Sequence, residues 1–228
     1  MINWDANDLR GYNIIDKIPS VRRDYLSLAK RLSLGFLYWL QTEAPRDEGG
    51  QGYPEFKLEL KVLGTKDGLA KFPYIREARR LAAKTTIVEE DIVIATNPGV
   101  RARSFPDSVG IGHYPVDIHG RQEVEGTAQA TRPFQIPYSA LVSEHCPNLL
   151  ACCKNLGVSH ITNGSYRLHP IEWAIGVAGG AAAALAVTKN IDLNKIADQD
   201  ATLKKLQTTL IKLGAPLFWL DDIGPKDP

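Results

Sequence analysis

Apolar residues recur at helical spacing in two long stretches of the chain. Between residues 21 and 40 they fall at three- and four-residue steps, and Pro19 and Ser20 supply a helix start just before them. Between residues 202 and 213 four leucines share one face, and Gly214 ends the pattern. Each stretch therefore predicts an amphipathic helix.

Residues 148–188 carry the most distinctive pattern. This stretch begins as a short apolar run, passes through a polar loop that contains Asn163, Gly164 and Arg167, and ends in a run made almost wholly of Gly, Ala and Val. The pattern predicts a strand, a loop and a small-residue helix. A helix start presents unpaired N–H groups and a partial positive charge, and small side chains let a flat ligand approach the backbone. We therefore interpret residues 148–188 as a cofactor seat.

Two further runs predict strands. Residues 109–119 alternate glycines, histidines and apolar residues, which is typical of a strand that lines a pocket. Residues 134–141, preceded by Pro133 and containing Pro137, indicate an edge strand or an extended loop, because proline cannot donate a hydrogen bond into a central ladder. The composition changes between residues 133 and 148, which makes this region the best position for a domain boundary.

Composition and charge describe an ordinary globular chain. The 27 basic and 26 acidic residues give a formal charge of +1, so no global field favours nucleic acid or an anionic membrane. Three cysteines without C-x-x-C spacing are interpreted as buried thiols in a reducing compartment. The N-terminus lacks the pattern of a secretion signal, and the apolar run at residues 173–187 is shorter than the roughly 20 residues of a membrane span. These features predict a soluble, cytoplasmic protein.

Several common motifs of catalysis are missing from the sequence. The chain has no phosphate-binding G-x-x-x-x-G-K-[ST] loop, no G-x-S-x-G elbow and no H-E-x-x-H pair, and we predict no metal site. Gly176, Gly179 and Gly180 lie inside a predicted helix and not in the strand-to-helix turn of a dinucleotide fingerprint. Three arginines at residues 76–80 form either a solvated charge run or a clamp for an anion.

Four blocks, in this order and spacing, are similar to one known family. They are PYIREARR at 73–80, GHYPVDIH at 112–119, PFQIPYSAL at 133–141 and NLLACCKNLGVSHITNGSYRLHPIEWAIG at 148–176. With them, most of residues 20–214 resembles the C-terminal portion of a family of FAD-dependent oxidoreductases related to glutathione-reductase-like flavoproteins. The resemblance implies an α/β fold, α+β in parts, that forms the C-terminal part of a two-domain flavoprotein.

The resemblance also implies a division of labour along the chain. Residues 1–147 would form a helical and β covering or substrate region, and residues 148–228 would complete the FAD domain. Residues 148–153 would be its returning strand, and the helix from Ile171 would point its N-terminus at the pyrimidine edge of the ring. The N-terminal dinucleotide-binding half of the family pattern is missing. Three explanations stay open: a second polypeptide supplies that half, the sequence is a truncated fragment, or the chain has lost flavin binding.

Site residues follow from the same resemblance. It implies FAD as the cofactor, with hydride or electron transfer between a small-molecule substrate and the flavin. The catalytic or substrate-orienting candidates are Arg76, Arg79 and His119. The candidates for flavin contact or its support are Asn155, Thr162, Asn163, Gly164, Arg167, Pro170, Glu172, Gly176 and Gly179. The alternative is a non-catalytic subunit or fragment that keeps the fold without flavin.

Overall fold

The computed structural model describes residues 4–120 and 125–220, which divide into two compact units. The first unit contains residues 4–75 together with 119, 120 and 125, and the second contains residues 76–118 and 126–220. The predicted division between residues 147 and 148 concerns roles in a flavoprotein and stays a prediction. That position lies inside the second unit.

The first unit is built on one long helix. Helix α1 (Pro19–Thr42) confirms the predicted amphipathic helix, with proline at its start, where the missing N–H costs nothing. Leu40 is its one fully buried residue. A short 3-10 helix at Asp5–Asn7 and the single turn of α2 (Leu60–Leu63) accompany it.

The strands of the second unit form two antiparallel pairs. Strand β1 (Ser108–Gly112) pairs with β4 (Phe134–Pro137), and β2 (Val116–Ile118) pairs with β3 (Thr127–Gln129). The strand predicted over residues 109–119 is therefore interrupted between β1 and β2. The strand predicted over residues 134–141 ends at Pro137 and continues as a 3-10 helix, Tyr138–Ala140.

Among the described residues, four α-helices complete the second unit: α3 (His160–Tyr166), α4 (His169–Lys189), α5 (Leu193–Asp198) and α6 (Asp200–Lys212). Helix α4 packs on β1, α5 and α6, and α3 packs on β2. Helix α6 confirms the predicted leucine face, because Leu203, Leu206 and Leu210 are buried. The core of the unit lies between these helices and the strands, so the predicted mixture of helix and strand is confirmed.

The expected returning strand at residues 148–153 is wrong. Leu150 forms only an isolated bridge with Val142, and the Ala151 N–H donates to the Leu141 carbonyl at 2.8 Å. Residues 144–149 are exposed and include Pro147, which has no N–H to donate, so a ladder cannot extend through them. The polar loop expected after this segment contains α3, whose first turn is capped by the Ser159 hydroxyl accepting from the Thr162 N–H at 3.1 Å.

Two expectations about burial and length also change. All three cysteines are exposed, contrary to the expected buried thiols. The Cys152 sulfur nevertheless lies against Gly179, and burial, with Cys153 beside it, raises the pKa of the Cys152 thiol. Helix α4 has 21 residues and is long and apolar enough to cross a membrane by length and composition, with 33% of its most apolar window buried. The length argument against a membrane span therefore fails, and the cytoplasmic location stays a prediction.

Candidate functional site

Four of the predicted flavin contacts lie together in the interior of the second unit. They belong to α3 or its C-terminal cap: Thr162, Asn163, Gly164 and Arg167. The Thr162 hydroxyl donates to the Ile87 carbonyl at 2.8 Å, and the Asn163 amide donates to the Lys154 carbonyl at 2.8 Å. A Cβ at Gly164 would lie 2.9 Å from the Asp117 nitrogen, so only glycine allows α3 to approach β2 this closely. These residues dock α3 in the core.

Arg167 is the centre of a buried ionic network. Its side chain is 5% exposed, and its guanidinium lies 3.0 Å from a Glu77 carboxylate oxygen. It also donates to the Asp117 carbonyl at 2.6 Å. The other Glu77 oxygen lies 2.5 Å from His160 Nδ1. Sequence reasoning missed Glu77 and His160, although a single acid inside an arginine run was a signal for a buried ion pair.

Three other predicted contacts lie on the first two turns of α4 and are accessible. Glu172 and Gly176 line a groove of about 490 Å³ together with His169, Trp173 and Val177. Pro170 lines a neighbouring cleft of about 740 Å³, which shares Trp173 and Val177 with the groove. The structure therefore brings Pro170, Glu172 and Gly176 to one continuous surface.

The cleft is mainly apolar and contains several aromatic rings. Strand β1 contributes Ile111 and Gly112, and His113 follows directly, as the glycine and histidine pattern predicted for a pocket-lining strand. The segment after α6 forms another part of the wall. The remaining lining residues are Tyr114, Leu168, Ile171, Ala174, Leu213, Gly214, Ala215, Pro216 and Trp219. Within the described ranges, the lining includes no lysine or arginine.

The last two predicted contacts lie apart from both groups. Gly179 is buried against Cys152, and a Cβ there would overlap the Cys152 sulfur. Asn155 is exposed, and its carbonyl accepts from the Leu81 N–H at 2.8 Å. Gly179 is thus a close-packing position on α4, and the Asn155 backbone ties residues 148–158 to the segment before Ile87.

The predicted catalytic residues fall in different units. Arg76 is half-buried and Arg79 is exposed, and both belong to the second unit. His119 belongs to the first unit, where its Nδ1 lies 2.5 Å from Asp5 and 2.6 Å from Asp8. Asp5, Asp8 and His119 place one nitrogen or carboxylate oxygen each within 4.8 Å of the others. The spacing of these residues in the sequence did not indicate this cluster.

Two buried phenols are structural groups. Tyr166 stacks on Phe134 with ring centroids 4.4 Å apart and donates to the Gln135 carbonyl at 2.7 Å. Burial, and secondarily the charge of Asp91, raises the pKa of Tyr166 well above its usual value. Burial likewise raises the pKa of Tyr138, which donates to the Leu193 carbonyl at 3.1 Å. Both phenols therefore stay protonated at neutral pH and serve as hydrogen-bond donors.

Comparison with known proteins gives one match. The model of the FAD dependent oxidoreductase family matches residues 1–210, which is most of the chain. No curated protein and no solved structure matches it. The matched residues include the first unit, the second unit as far as residue 210, the network around Arg167 and the first turns of α4. The chain therefore belongs to the FAD dependent oxidoreductase family.

Proposed function

We propose that this chain is part of an FAD-dependent oxidoreductase, and that the cleft and groove beside the first turns of α4 receive the isoalloxazine end of FAD. When bound, FAD supplies a ring that accepts and returns two electrons. The observation that carries the proposal is the apolar cleft of about 740 Å³ in a chain of this family. Its volume lies in the usual range of small-molecule sites, and such sites are predominantly apolar and aromatic.

The lining suits the flat end of the cofactor. Ile111, Leu168 and Ile171 offer apolar surface, and Trp173 and Trp219 offer ring faces. Gly176 lines the adjoining groove without a side chain, and a Cβ added there would lie 3.5 Å from the Cys152 carbonyl oxygen. A planar aromatic ring can therefore enter with little desolvation of charged groups.

The electrostatic field at the N-terminus of α4 favours a ligand that becomes negatively charged. Pro170 and Ile171 belong to the first turn of this 21-residue helix, where the helix dipole is positive. Glu172 in the same turn is half-buried and partly offsets that field. His113 is exposed at the cleft, where its imidazole can hold or move a proton beside the ligand.

The same lining does not suit the pyrophosphate end of FAD. Phosphate oxygens need cationic side chains or clusters of backbone N–H groups. The described lining contains no lysine or arginine. We therefore propose that a second chain carries the groups that bind the nucleotide end. We also propose that Arg76 and Arg79 of the second unit act on the substrate, whereas the role of His119, in the first unit, stays a prediction.

A non-catalytic role is the second candidate, and one observation favours it. Thr162, Asn163, Gly164 and Arg167 are all engaged in packing or hydrogen bonds inside the second unit. In a chain that has lost flavin, these residues would still be required for the fold.

Flavin uptake separates the two candidates. The protein is purified, incubated with FAD and desalted, and the retained flavin is measured by its visible absorbance. Gly176→Leu adds an apolar side chain to the lining of the groove, with its Cβ in ordinary contact, 3.5 Å, with the Cys152 carbonyl oxygen. Gly180→Leu makes the same change on the same helix at a position with no atom within 4 Å of the added Cβ. We expect the wild type and Gly180→Leu to retain FAD and Gly176→Leu to lose most of it.

The contrary results are equally definite. If both variants retain FAD equally, the flavin ring does not bind in this groove. If the wild type takes up no FAD, alone or with a co-expressed neighbouring protein, the non-catalytic role replaces the enzyme proposal.

A further inference from the structure

Residues 214–220, called the C-terminal strap here, cross β1 after α6 ends. The strap begins at Gly214, whose φ of +80° turns the chain in a conformation that favours glycine. The buried Ser108 hydroxyl donates to the Leu217 carbonyl at 2.5 Å, and the Gln135 amide donates to the same oxygen at 3.4 Å. Because the buried Ser108 and the half-buried Gln135 both donate to its backbone, the strap is anchored in the second unit.

Trp219 is the aromatic ring that the strap brings to the cleft. Its indole N–H donates to the Gly112 carbonyl at 3.3 Å, and the residue is half-buried. The other indole of the cleft, Trp173, is 77% exposed. Trp219 is therefore the more restrained of the two rings, and a restrained ring loses less conformational entropy when a ligand binds.

The strap lies outside the part of the chain that the family model matches. That match ends at residue 210, whereas Gly214, Ala215, Pro216 and Trp219 all line the cleft. Much of one wall thus comes from residues outside that match.

We propose that Trp219 is a specificity-determining residue that selects flat aromatic rings at the cleft. The inference rests on the proposed function, since the ring in question is that of the flavin. An indole face stacks on a planar ring but not on a branched aliphatic group. The described lining contains no lysine or arginine to pair with a phosphate. This chain should therefore bind riboflavin, which has the ring and no phosphate, as tightly as it binds FAD.

The test is a titration of the full chain with riboflavin and with FAD, followed by quenching of flavin fluorescence. We expect Trp219→Ala to weaken riboflavin binding about tenfold, as loss of a stacked ring does. Trp219→Phe keeps a ring and loses the hydrogen bond to Gly112, so it should weaken binding by no more than about threefold. Trp4→Ala, in the first unit, is the matched tryptophan control and should leave binding unchanged.

The outcomes separate this inference from the proposed function. If the wild type binds both flavins and Trp219→Ala binds riboflavin equally well, the role of Trp219 is refuted and the flavin site stands. If the wild type binds FAD but riboflavin at least tenfold more weakly, recognition of the ring alone is refuted. If it binds neither, the proposed function falls and takes this inference with it. Should Trp219→Ala unfold, Trp219→Leu keeps apolar bulk without the ring and decides by the same criterion.

Discussion

Replacing Glu77 by Gln tests the ionic network around Arg167. The change keeps the size of the side chain and most of its hydrogen bonding, but it removes the charge that faces the guanidinium at 3.0 Å. Arg167 would then remain buried, and it would keep its hydrogen bond to the Asp117 carbonyl. His160 Nδ1, now 2.5 Å from Glu77, would lose an anionic partner at the same time.

The size of the effect follows from the burial of the two partners. Breaking a buried ion pair by removing one partner costs about 3–5 kcal/mol, because the other charge stays in a poorly solvated place. Arg167 is 5% exposed and Glu77 is 19% exposed, so some water reaches the carboxylate side of the pair. We therefore expect Glu77→Gln to lower the free energy of unfolding by about 3 kcal/mol, the lower end of that range.

Urea denaturation followed by circular dichroism measures this change, and hydrogen exchange of the α3 amides shows whether it acts in the second unit. Asp200→Asn is the control, because it breaks the exposed 2.6 Å pair with Lys204, which should contribute less than about 1 kcal/mol. If Glu77→Gln costs no more than Asp200→Asn, the network around Arg167 does not stabilise the fold as reasoned.

Two further predictions concern packing and pH. Gly157→Ala should destabilise the protein by about 2 kcal/mol, because the added Cβ would overlap the Thr85 carbonyl. Gly180→Ala should stabilise α4 by up to about 1 kcal/mol, because the added Cβ meets no atom within 4 Å. The unfolding midpoints of the two variants should therefore move in opposite directions, and a shift in the same direction would contradict the packing described here. Tyr166 has a folded-state pKa raised by burial, so its stabilising contribution is fully present below about pH 10, where the unfolded phenol ionises, and decreases as the pH rises further. Unfolding measured from pH 9 to 11 should show a steeper loss of stability in the wild type than in Tyr166→Phe, and equal slopes would refute that linkage.

Elements with strong periodicity could be predicted from the sequence. Helices α1 and α6 carry apolar residues at helical spacing, and both form where the pattern indicates. Helix α4 follows from its run of small residues, although it begins at His169, two residues before the expected Ile171. The pocket role of residues 109–119 was also visible, because Gly112 and His113 line the cleft.

Helix α3 could not be predicted in this way. Its sequence, HITNGSY, combines β-branched residues, Asn and Gly, all of which have low helix propensity. Tertiary contacts override that propensity: Thr162 bonds the Ile87 carbonyl, and Gly164 fits against the Asp117 backbone. Such contacts join residues 47 to 75 positions apart, so no local pattern shows them.

The predicted flavin contacts fall into an accessible group and a buried group, and local sequence could not separate the two. Pro170, Glu172 and Gly176 lie on an accessible helix face, where they line the groove or the cleft. The polar character of Thr162, Asn163 and Arg167 is equally consistent with a ligand site and with a buried network, and only their partners distinguish the two. Their role toward flavin stays a prediction.

The interrupted chain path of the second unit has a consequence for how the protein is made. Strand β1 cannot pair until β4 has been synthesised, and the core that both strands share with Leu203, Leu206 and Leu210 requires nearly the whole chain. During translation, the apolar side chains of residues 76–118 therefore stay exposed to solvent until about a hundred further residues have emerged from the ribosome. That interval is when chaperone capture or aggregation competes most strongly with folding, so slower elongation over residues 119–210 would prolong the vulnerable state.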